Sequence, residues 1–134
     1  MARTDTVERP LPSPYDQLGG AQALRRLVDA FYDAMDTDPA AAGIRRMHAG
    51  DLDPIREKLF DWLSGWAGGP QLYSQRPDRA CIMSAHAPYA IGRDERDQWM
   101  GCMRKALDSL DIEPDVRTMF ETAFSRLADG LRNC

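Results

Sequence analysis

The amino-acid sequence predicts an all-α fold, and three observations support that prediction. Apolar residues recur at three- and four-residue steps through the long stretches between turns, which is the pattern of helices that bury one face. Glycine and proline mark the ends of these stretches. No stretch alternates apolar and polar residues for long enough to form a paired strand. The 134 residues are enough for one domain with its own core.

The first long helix is predicted around Leu24–Met35, and the double glycine Gly19-Gly20 marks its entry. A polar turn at Asp36–Pro39 then leads into a shorter helical stretch that ends near Met47-His48. The inward side of the first helix carries Leu24, Leu27, Val28, Phe31, Tyr32 and Met35.

Asp53 followed by Pro54 predicts the next helix start, with Asp53 as N-cap and proline at the first helical position. The sequence Gly68-Gly69-Pro70 ends that helix, and Gln71–Arg79 has no consistent period, which predicts an irregular loop. One side of the helix carries Ile55, Leu59, Trp62, Leu63 and Trp66.

Two strongly periodic helices are predicted after the loop, at Asp94–Leu110 and at Pro114–Leu131. The first turns Trp99, Met103, Ala106, Leu107 and Leu110 inward, and the second turns Val116, Met119, Phe120, Ala123, Phe124 and Leu127 inward.

Residues 1–14 are polar and contain three prolines, so we expect a disordered extension before a domain at residues 15–134. No apolar run resembles a signal peptide or reaches eighteen residues, so neither export nor a membrane-spanning segment is expected and the predicted location is the cytoplasm.

The net charge of -4 and the scattered basic residues argue against nucleic-acid binding. The three cysteines lie far apart, which argues against disulfides and zinc knuckles.

His86 is the first candidate for chemistry, because Pro88 shortens and orients the segment that carries it. A neutral imidazole there could bind a metal through one ring nitrogen while the other donates to a carbonyl group. The alternative is an ordinary surface or helix-end histidine. A zinc site shared with His48 lacks further ligands, and a hydrolase built on Ser84 or Cys81 lacks a nucleophile elbow.

Trp99 and Tyr32 place polar tips on inward helix faces, where a buried N–H or O–H needs a partner. The alternatives are plain core packing for Trp99 and a solvent-reaching hydroxyl for Tyr32. Lys58, Arg76 and Arg79 could reach an anionic group, although each alone is typical of a solvated surface. Together these residues would suit a flat apolar cofactor with charged edges.

The sequence resembles the group II truncated haemoglobins, from Tyr15 to about Leu131. The resemblance is carried by Phe31-Tyr32, Arg56-Glu57-Lys58-Leu59-Phe60, Leu63-Ser64-Gly65-Trp66, Gly68-Gly69-Pro70, Tyr73, His86-Ala87-Pro88-Tyr89 and Glu95-Arg96-Asp97-x-Trp99. These motifs occur in the family's order and spacing.

The resemblance implies a two-over-two helical sandwich around haem b, with His86 as the proximal iron ligand. It places Tyr32, His48 and Trp99 on the distal side as donors to a bound ligand, and Ile55 and Leu59 as apolar walls. Porphyrin contacts are implied for Trp62, Met83, Tyr89, Ile91 and Met103. Ala85 replaces a basic residue that many members direct at a propionate, so Lys58, Tyr73 and Arg76 are expected to anchor the carboxylates instead.

The expected function is reversible binding of dioxygen, carbon monoxide or nitric oxide, with release slowed by the distal donors. The alternative is a haem-dependent redox enzyme, which would reduce peroxide or convert nitric oxide with the help of an unidentified reductase. A haem-free helical interaction module is a third possibility. A monomer and a homodimer are both compatible with the sequence.

Overall fold

The computed structural model describes residues 11–134 of the chain, and within them every regular element is a helix. The helices are α1 (Pro14–Leu18), α2 (Gly20–Thr37), α3 (Ala42–Arg45), α4 (Asp53–Trp66), α5 (Ile82–His86), α6 (Arg93–Asp108) and α7 (Pro114–Gly130), with 3-10 turns at Pro39–Ala41 and Tyr73–Gln75. The predicted all-α class is confirmed. None of these helices is both long and apolar enough to cross a membrane.

The four long helices form two packed pairs. Helix α2 packs against α4, α6 packs against α7, and α2 joins the pairs by packing against α6. Their facing stripes bury Leu27, Phe31, Leu63, Met103 and Phe124 completely or almost completely. Each such side chain stabilises the fold by about 1.5–3 kcal/mol relative to its exposed state, which is why the periodic stretches become these helices.

Helix α1 begins inside the segment that the sequence analysis assigned to the extension. Ser13 caps the helix by accepting from the amide of Asp16, the Asp16 carboxylate accepts from the amide of Ser13, and Pro14 occupies the first turn. Proline is favourable there because its missing N–H would have no helical partner. Residues 1–10 lie outside the described residues, so their disorder stays a prediction.

The double glycine after α4 makes room for α1. Gly68 adopts a φ of 91°, and a β-carbon there would lie 3.0 Å from the Cβ of Ser13. A β-carbon on Gly69 would lie only 2.5 Å from the ring of Tyr15. The amide of Tyr15 donates to the carbonyl oxygen of Ala67 at 2.9 Å, which fixes α1 on the end of α4.

The start of α4 corrects one predicted detail. Leu52 is the N-cap, and Asp53 is already helical rather than the cap. Asp51 instead provides a hydrogen-bond acceptor at the helix start, because its Oδ1 accepts from the amide of Asp53 at 3.0 Å. Helix α6 ends at Asp108 and α7 at Gly130, so both are slightly shorter than their stripes predict.

Candidate functional site

A cavity of about 420 Å³ lies between the two helix pairs and the 73–91 segment. All the site residues predicted from the sequence line it except Arg76, Arg79, Met83 and Met103. Those that do are Tyr32, His48, Ile55, Lys58, Leu59, Trp62, Tyr73, His86, Tyr89, Ile91 and Trp99. Over the complete lining of the cavity most side chains are apolar, so the cavity suits an apolar group with a few polar contacts.

His86 is the last residue of α5 and presents a directed imidazole to the cavity. Its Nδ1 lies 2.7 Å from the carbonyl oxygen of Ile82, one turn earlier in the helix. Because a carbonyl oxygen can only accept, Nδ1 must carry the proton. The Nε2 lone pair of the neutral ring is therefore available to a metal, and the bond to Ile82 fixes the direction of the ring.

Tyr32 lies on α2 and is 3% exposed. No hydrogen bond within residues 11–134 involves its hydroxyl. Because every fully buried side-chain nitrogen or oxygen in that range has a partner, this hydroxyl is not fully buried, and it is open to the cavity that Tyr32 lines. Burial raises the pKa of Tyr32 well above its usual value, and the positive charge of Arg56 offsets this only in part. The phenol therefore stays neutral and able to donate.

His48 follows α3 and faces Tyr32, with ring centroids 6.0 Å apart in an edge-on arrangement. Its Nδ1 lies 2.8 Å from the carbonyl oxygen of Ile44, so this nitrogen carries the proton in the neutral ring. The remaining Nε2 is a lone-pair acceptor. This differs from the sequence-based expectation, which grouped His48 with the N–H and O–H donors.

Trp99 is held in α6 between two phenylalanine rings. Its ring centroid lies 5.3 Å from that of Phe31 and 5.8 Å from that of Phe124, both in edge-on contact. Its indole N–H takes part in no hydrogen bond within residues 11–134, and Trp99 lines the cavity. Core packing and an available donor are thus both properties of this residue.

Gln98, next to Trp99 on α6, connects this helix to the segment that carries His48. Its Oε1 accepts from the amide of Ile44 at 2.9 Å. Gly43 permits the approach, since a β-carbon there would lie 2.7 Å from the same oxygen. The carbonyl oxygen of Ile44 in turn accepts from Nδ1 of His48. Gln98 therefore links α6, the helix that carries Trp99, to the residue that orients His48.

Arg76 does not line the cavity and instead pairs with two carboxylates. Its guanidinium lies 2.7 Å from Asp61 and 2.9 Å from Asp78. Hydrogen bonds from Arg76 lower the pKa of Asp78, so Asp78 stays ionised beside the guanidinium of Arg76. Lys58 lies 3.5 Å from Asp78 and lines the cavity, so Lys58 is the better placed of these two cations to meet an anionic edge.

The other predicted anchor and two predicted contacts are also differently engaged. The hydroxyl of Tyr73 accepts from the amide of Ala80 at 3.1 Å and lies 3.3 Å from its carbonyl oxygen, which closes the loop. Met103 is fully buried among core side chains, and Met83 is 55% exposed. The periodic apolar stripe of α6 correctly placed Met103 inward, but its side chain lies in the core and does not line the cavity.

The bacterial-like globin family matches residues 13–133 of the chain. The chain belongs to the group II truncated haemoglobins. It is 30% identical over 115 residues to the group 2 truncated hemoglobin YjbI of Bacillus subtilis, covering 86% of this chain and 82% of that protein. It is 34% identical to the two-on-two hemoglobin-3 of Arabidopsis thaliana, covering 85% of this chain and 65% of the plant protein.

Solved structures agree with this membership. The cold-adapted truncated hemoglobin of Pseudoalteromonas haloplanktis TAC125 superimposes with a TM-score of 0.87 at 38% identity, covering 92% of this chain and 99% of that one. The group II 2-on-2 hemoglobin of Agrobacterium tumefaciens gives a TM-score of 0.87 at 32% identity, covering 94% and 98%. The two pairs of helices are thus the two-over-two sandwich, and the protein is a globin that binds haem and small gas ligands.

The residues of this truncated haemoglobin fit a haem group. The cavity offers a neutral imidazole with a free Nε2, apolar side chains over most of its wall, and one lysine for a carboxylate. No group of three or more histidine, cysteine, aspartate or glutamate side chains within residues 11–134 could hold a metal ion on its own. An iron bound by His86 would therefore need a cofactor to supply its other ligands.

Several lining residues of this haemoglobin were not predicted. They are Ile44, Met47, Asp78, Ala80, Ile82, Ala85, Glu95, Arg96, Leu127, Ala128 and Leu131. Leu127 was already predicted on the inward stripe of α7, and Leu131 is the C-cap residue four positions later, so one more step of that stripe could have revealed Leu131. Glu95 and Arg96 belong to a motif already recognised, where only Trp99 was given a role.

Proposed function

We propose that this protein binds dioxygen and other diatomic gases reversibly at haem b, with His86 as the proximal ligand. The observation that carries the proposal is the bond between Nδ1 of His86 and the carbonyl oxygen of Ile82. It leaves Nε2 as the lone-pair atom, and it makes the imidazole a better electron donor. Haem b, when bound, supplies an iron whose open coordination position takes a diatomic gas.

Tyr32 and Trp99 are the proposed hydrogen-bond donors to that gas. Both line the cavity, and neither uses its donor elsewhere within residues 11–134. Each hydrogen bond adds about 0.5–1.5 kcal/mol net, so two donors would slow release roughly five- to 150-fold. A protein with such slow release would be a poor rapid carrier of oxygen.

The hydrocarbon wall supports the same function by excluding water. Ile55 and Leu59 on α4 line the cavity with hydrocarbon side chains that offer no polar group. In a dry cavity a hydrogen bond to a developing negative charge is stronger than it would be in water. The distal selectivity of this protein therefore depends on α2 and α6 rather than on α4.

Spectra of the purified protein test the proximal assignment. We expect an intense band near the violet edge of the visible spectrum, with characteristic ferric, ferrous and carbon monoxide forms. His86→Gly should lose this normal coordination and recover it with added imidazole. His48→Ala, the matched control at the other histidine, should keep it. Colourless protein that takes up no added haem would overturn the proposal, as would normal coordination in His86→Gly without imidazole.

The second candidate function is peroxide reduction, which one observation favours. His48 in its neutral form presents an Nε2 lone pair to the cavity, and this atom can take a proton from one peroxide oxygen and return it to the other. Reduction of hydrogen peroxide to two waters also consumes two electrons and two protons, which an unidentified reductase or a phenolic donor would supply. Conversion of nitric oxide by bound dioxygen needs no such base. Multiple turnovers with a reductant would support this candidate, and a single stoichiometric reaction would refute it.

A further inference from the structure

Asn133, which follows α7, holds the segment after His86 through its side chain and its backbone. Nδ2 donates to the carbonyl oxygen of Tyr89 at 2.7 Å and more weakly to that of His86 at 3.5 Å. Oδ1 accepts from the amide of Ile91 at 2.8 Å. The amide of Asn133 also donates to the carbonyl oxygen of Ile91 at 2.9 Å. One residue therefore meets three backbone positions of this segment.

The segment held by Asn133 has little regular structure of its own. It connects α5 to α6, and Pro88 within it has no amide hydrogen to donate. Its own turn is closed by the amide of Tyr89, which donates to the carbonyl oxygen of His86 at 3.1 Å. Tyr89 and Ile91 both line the cavity with His86. A tie from a residue more than forty positions away thus sets where these wall residues lie.

We propose that Asn133 is a positioning residue for the proximal histidine. The hydrogen bond to the carbonyl oxygen of Ile82 fixes the ring of His86 relative to α5. The side chain of Asn133 fixes the backbone that follows His86 in the chain. The two ties together hold the direction of Nε2 relative to the wall formed by Tyr89 and Ile91. This inference rests on the proposed function of His86 as the iron ligand.

The chemistry of the amide makes the proposal specific. A primary amide offers a donor and an acceptor on one planar group, which matches the carbonyl oxygen of Tyr89 and the amide of Ile91. Asn133→Asp keeps the acceptor for Ile91 but loses the donor for Tyr89. Asn133→Leu has a similar size and loses both. Arg132→Ala is the matched control, because that neighbouring side chain is exposed and makes no hydrogen bond within residues 11–134.

The experiment uses the haem-loaded full chain and three measurements. The iron–histidine stretching band of the ferrous, ligand-free protein reports the strain on His86, haem transfer to excess apomyoglobin reports retention, and amide exchange of Ile91 reports the tie. We expect Asn133→Leu to shift or broaden the band, to lose haem about tenfold faster, and to exchange the Ile91 amide faster. Asn133→Asp should be intermediate, with Ile91 still protected, and Arg132→Ala should match the unaltered protein.

The outcomes separate this inference from the proposed function. An unchanged band and unchanged haem loss in Asn133→Leu would overturn it, even if thermal stability fell, because a merely structural tie leaves the band alone. Slow Ile91 exchange in Asn133→Leu would overturn it as well. Absence of an iron–histidine band from the unaltered protein would instead overturn the proposed function. A normal band in the unaltered protein that does not change in the Asn133 variants would overturn only the positioning role.

Discussion

The Nδ1 of His48 lies 2.8 Å from the carbonyl oxygen of Ile44, and the Nδ1 of His86 lies 2.7 Å from that of Ile82. Both histidines of this chain are thus tied to the residue four positions earlier. Each neutral ring consequently presents a lone pair at Nε2. The family resemblance predicts that these two residues lie on opposite sides of one cofactor, and the local geometry gives their neutral rings the same tautomer.

Replacing His48 should separate gas binding from peroxide chemistry. In His48→Phe we expect the rate of oxygen release to change less than about twofold, because the neutral ring donates no hydrogen bond through Nε2. Peroxide consumption should fall by about a hundredfold or more, since the base is lost. Stopped-flow measurements of both rates check this. A large rise in oxygen release with unchanged peroxide consumption would show that His48 acts as a donor.

Tyr32→Phe should speed oxygen release. The substitution removes one hydroxyl that is open to the cavity and keeps the buried ring, so the packing against Phe31 at 4.9 Å is retained. Loss of one hydrogen bond predicts a roughly two- to tenfold faster release. Oxygen displacement by carbon monoxide measures it. An unchanged rate would exclude the hydroxyl from ligand stabilisation.

Tyr32 should also make the fold sensitive to alkali. Burial raises its pKa in the folded protein above the value of about 10 that it has in the unfolded chain, so its contribution to stability is complete below pH 10 and is lost as pH rises toward the folded value. The free energy of unfolding should therefore decline more steeply above pH 10 in the unaltered protein than in Tyr32→Phe. Urea unfolding over a pH series checks this, and parallel curves would contradict it.

Trp99→Phe should speed oxygen release by a similar factor, while Trp66→Phe should not. Both tryptophans contact Phe124, with centroid distances of 5.8 Å for Trp99 and 5.0 Å for Trp66. Only Trp99 lines the cavity, so Trp66 controls for the loss of an indole from the same cluster. Equal effects of the two substitutions would assign the change to core packing rather than to the indole N–H.

Gly69→Ala should destabilise the fold, while Gly101→Ala should not. A β-carbon on Gly69 would lie 2.5 Å from the Tyr15 ring, so α1 must shift, at a cost of about 1–3 kcal/mol. A β-carbon on Gly101, inside α6, meets nothing within 4 Å and should stabilise that helix by about 0.5–1 kcal/mol. Thermal unfolding of both variants provides the comparison. Equal stability of Gly69→Ala and the unaltered protein would mean that Tyr15 is not held in place.

The long helices could be predicted because each repeats its apolar pattern over several turns. The short helices α1 and α5 could not, since five residues make little more than one turn, whereas α3 was predicted as the shorter stretch that ends near Met47-His48. Pro14–Leu18 illustrates the difficulty, because its one proline, Pro14, continues the series Pro10 and Pro12 that is typical of a disordered segment. Only the reciprocal bonds between Ser13 and Asp16 distinguish the helix start from that segment.

The site was predicted unevenly, for a physical reason. A periodic stripe gives the side of a helix that a residue occupies, but it does not say whether that side meets the core or a cavity, as Met103 shows. Charged residues depend on partners that are distant in sequence. Arg76 pairs with Asp61, fifteen positions earlier, and therefore turns away from the cavity. Which ring nitrogen of His48 carries the proton depends on the distance between Nδ1 and the carbonyl oxygen of Ile44, and no sequence pattern specifies that distance.

The contact between Gly43 and Gln98 has a consequence for how this pocket could change over evolutionary time. Even an alanine at position 43 would collide with the amide of Gln98. A shorter residue at position 98 would relieve the collision, but it would leave the Ile44 amide without its acceptor. We therefore expect the two positions to vary together among descendants of this chain, and a change in one to reorient the imidazole of His48 until the other compensates.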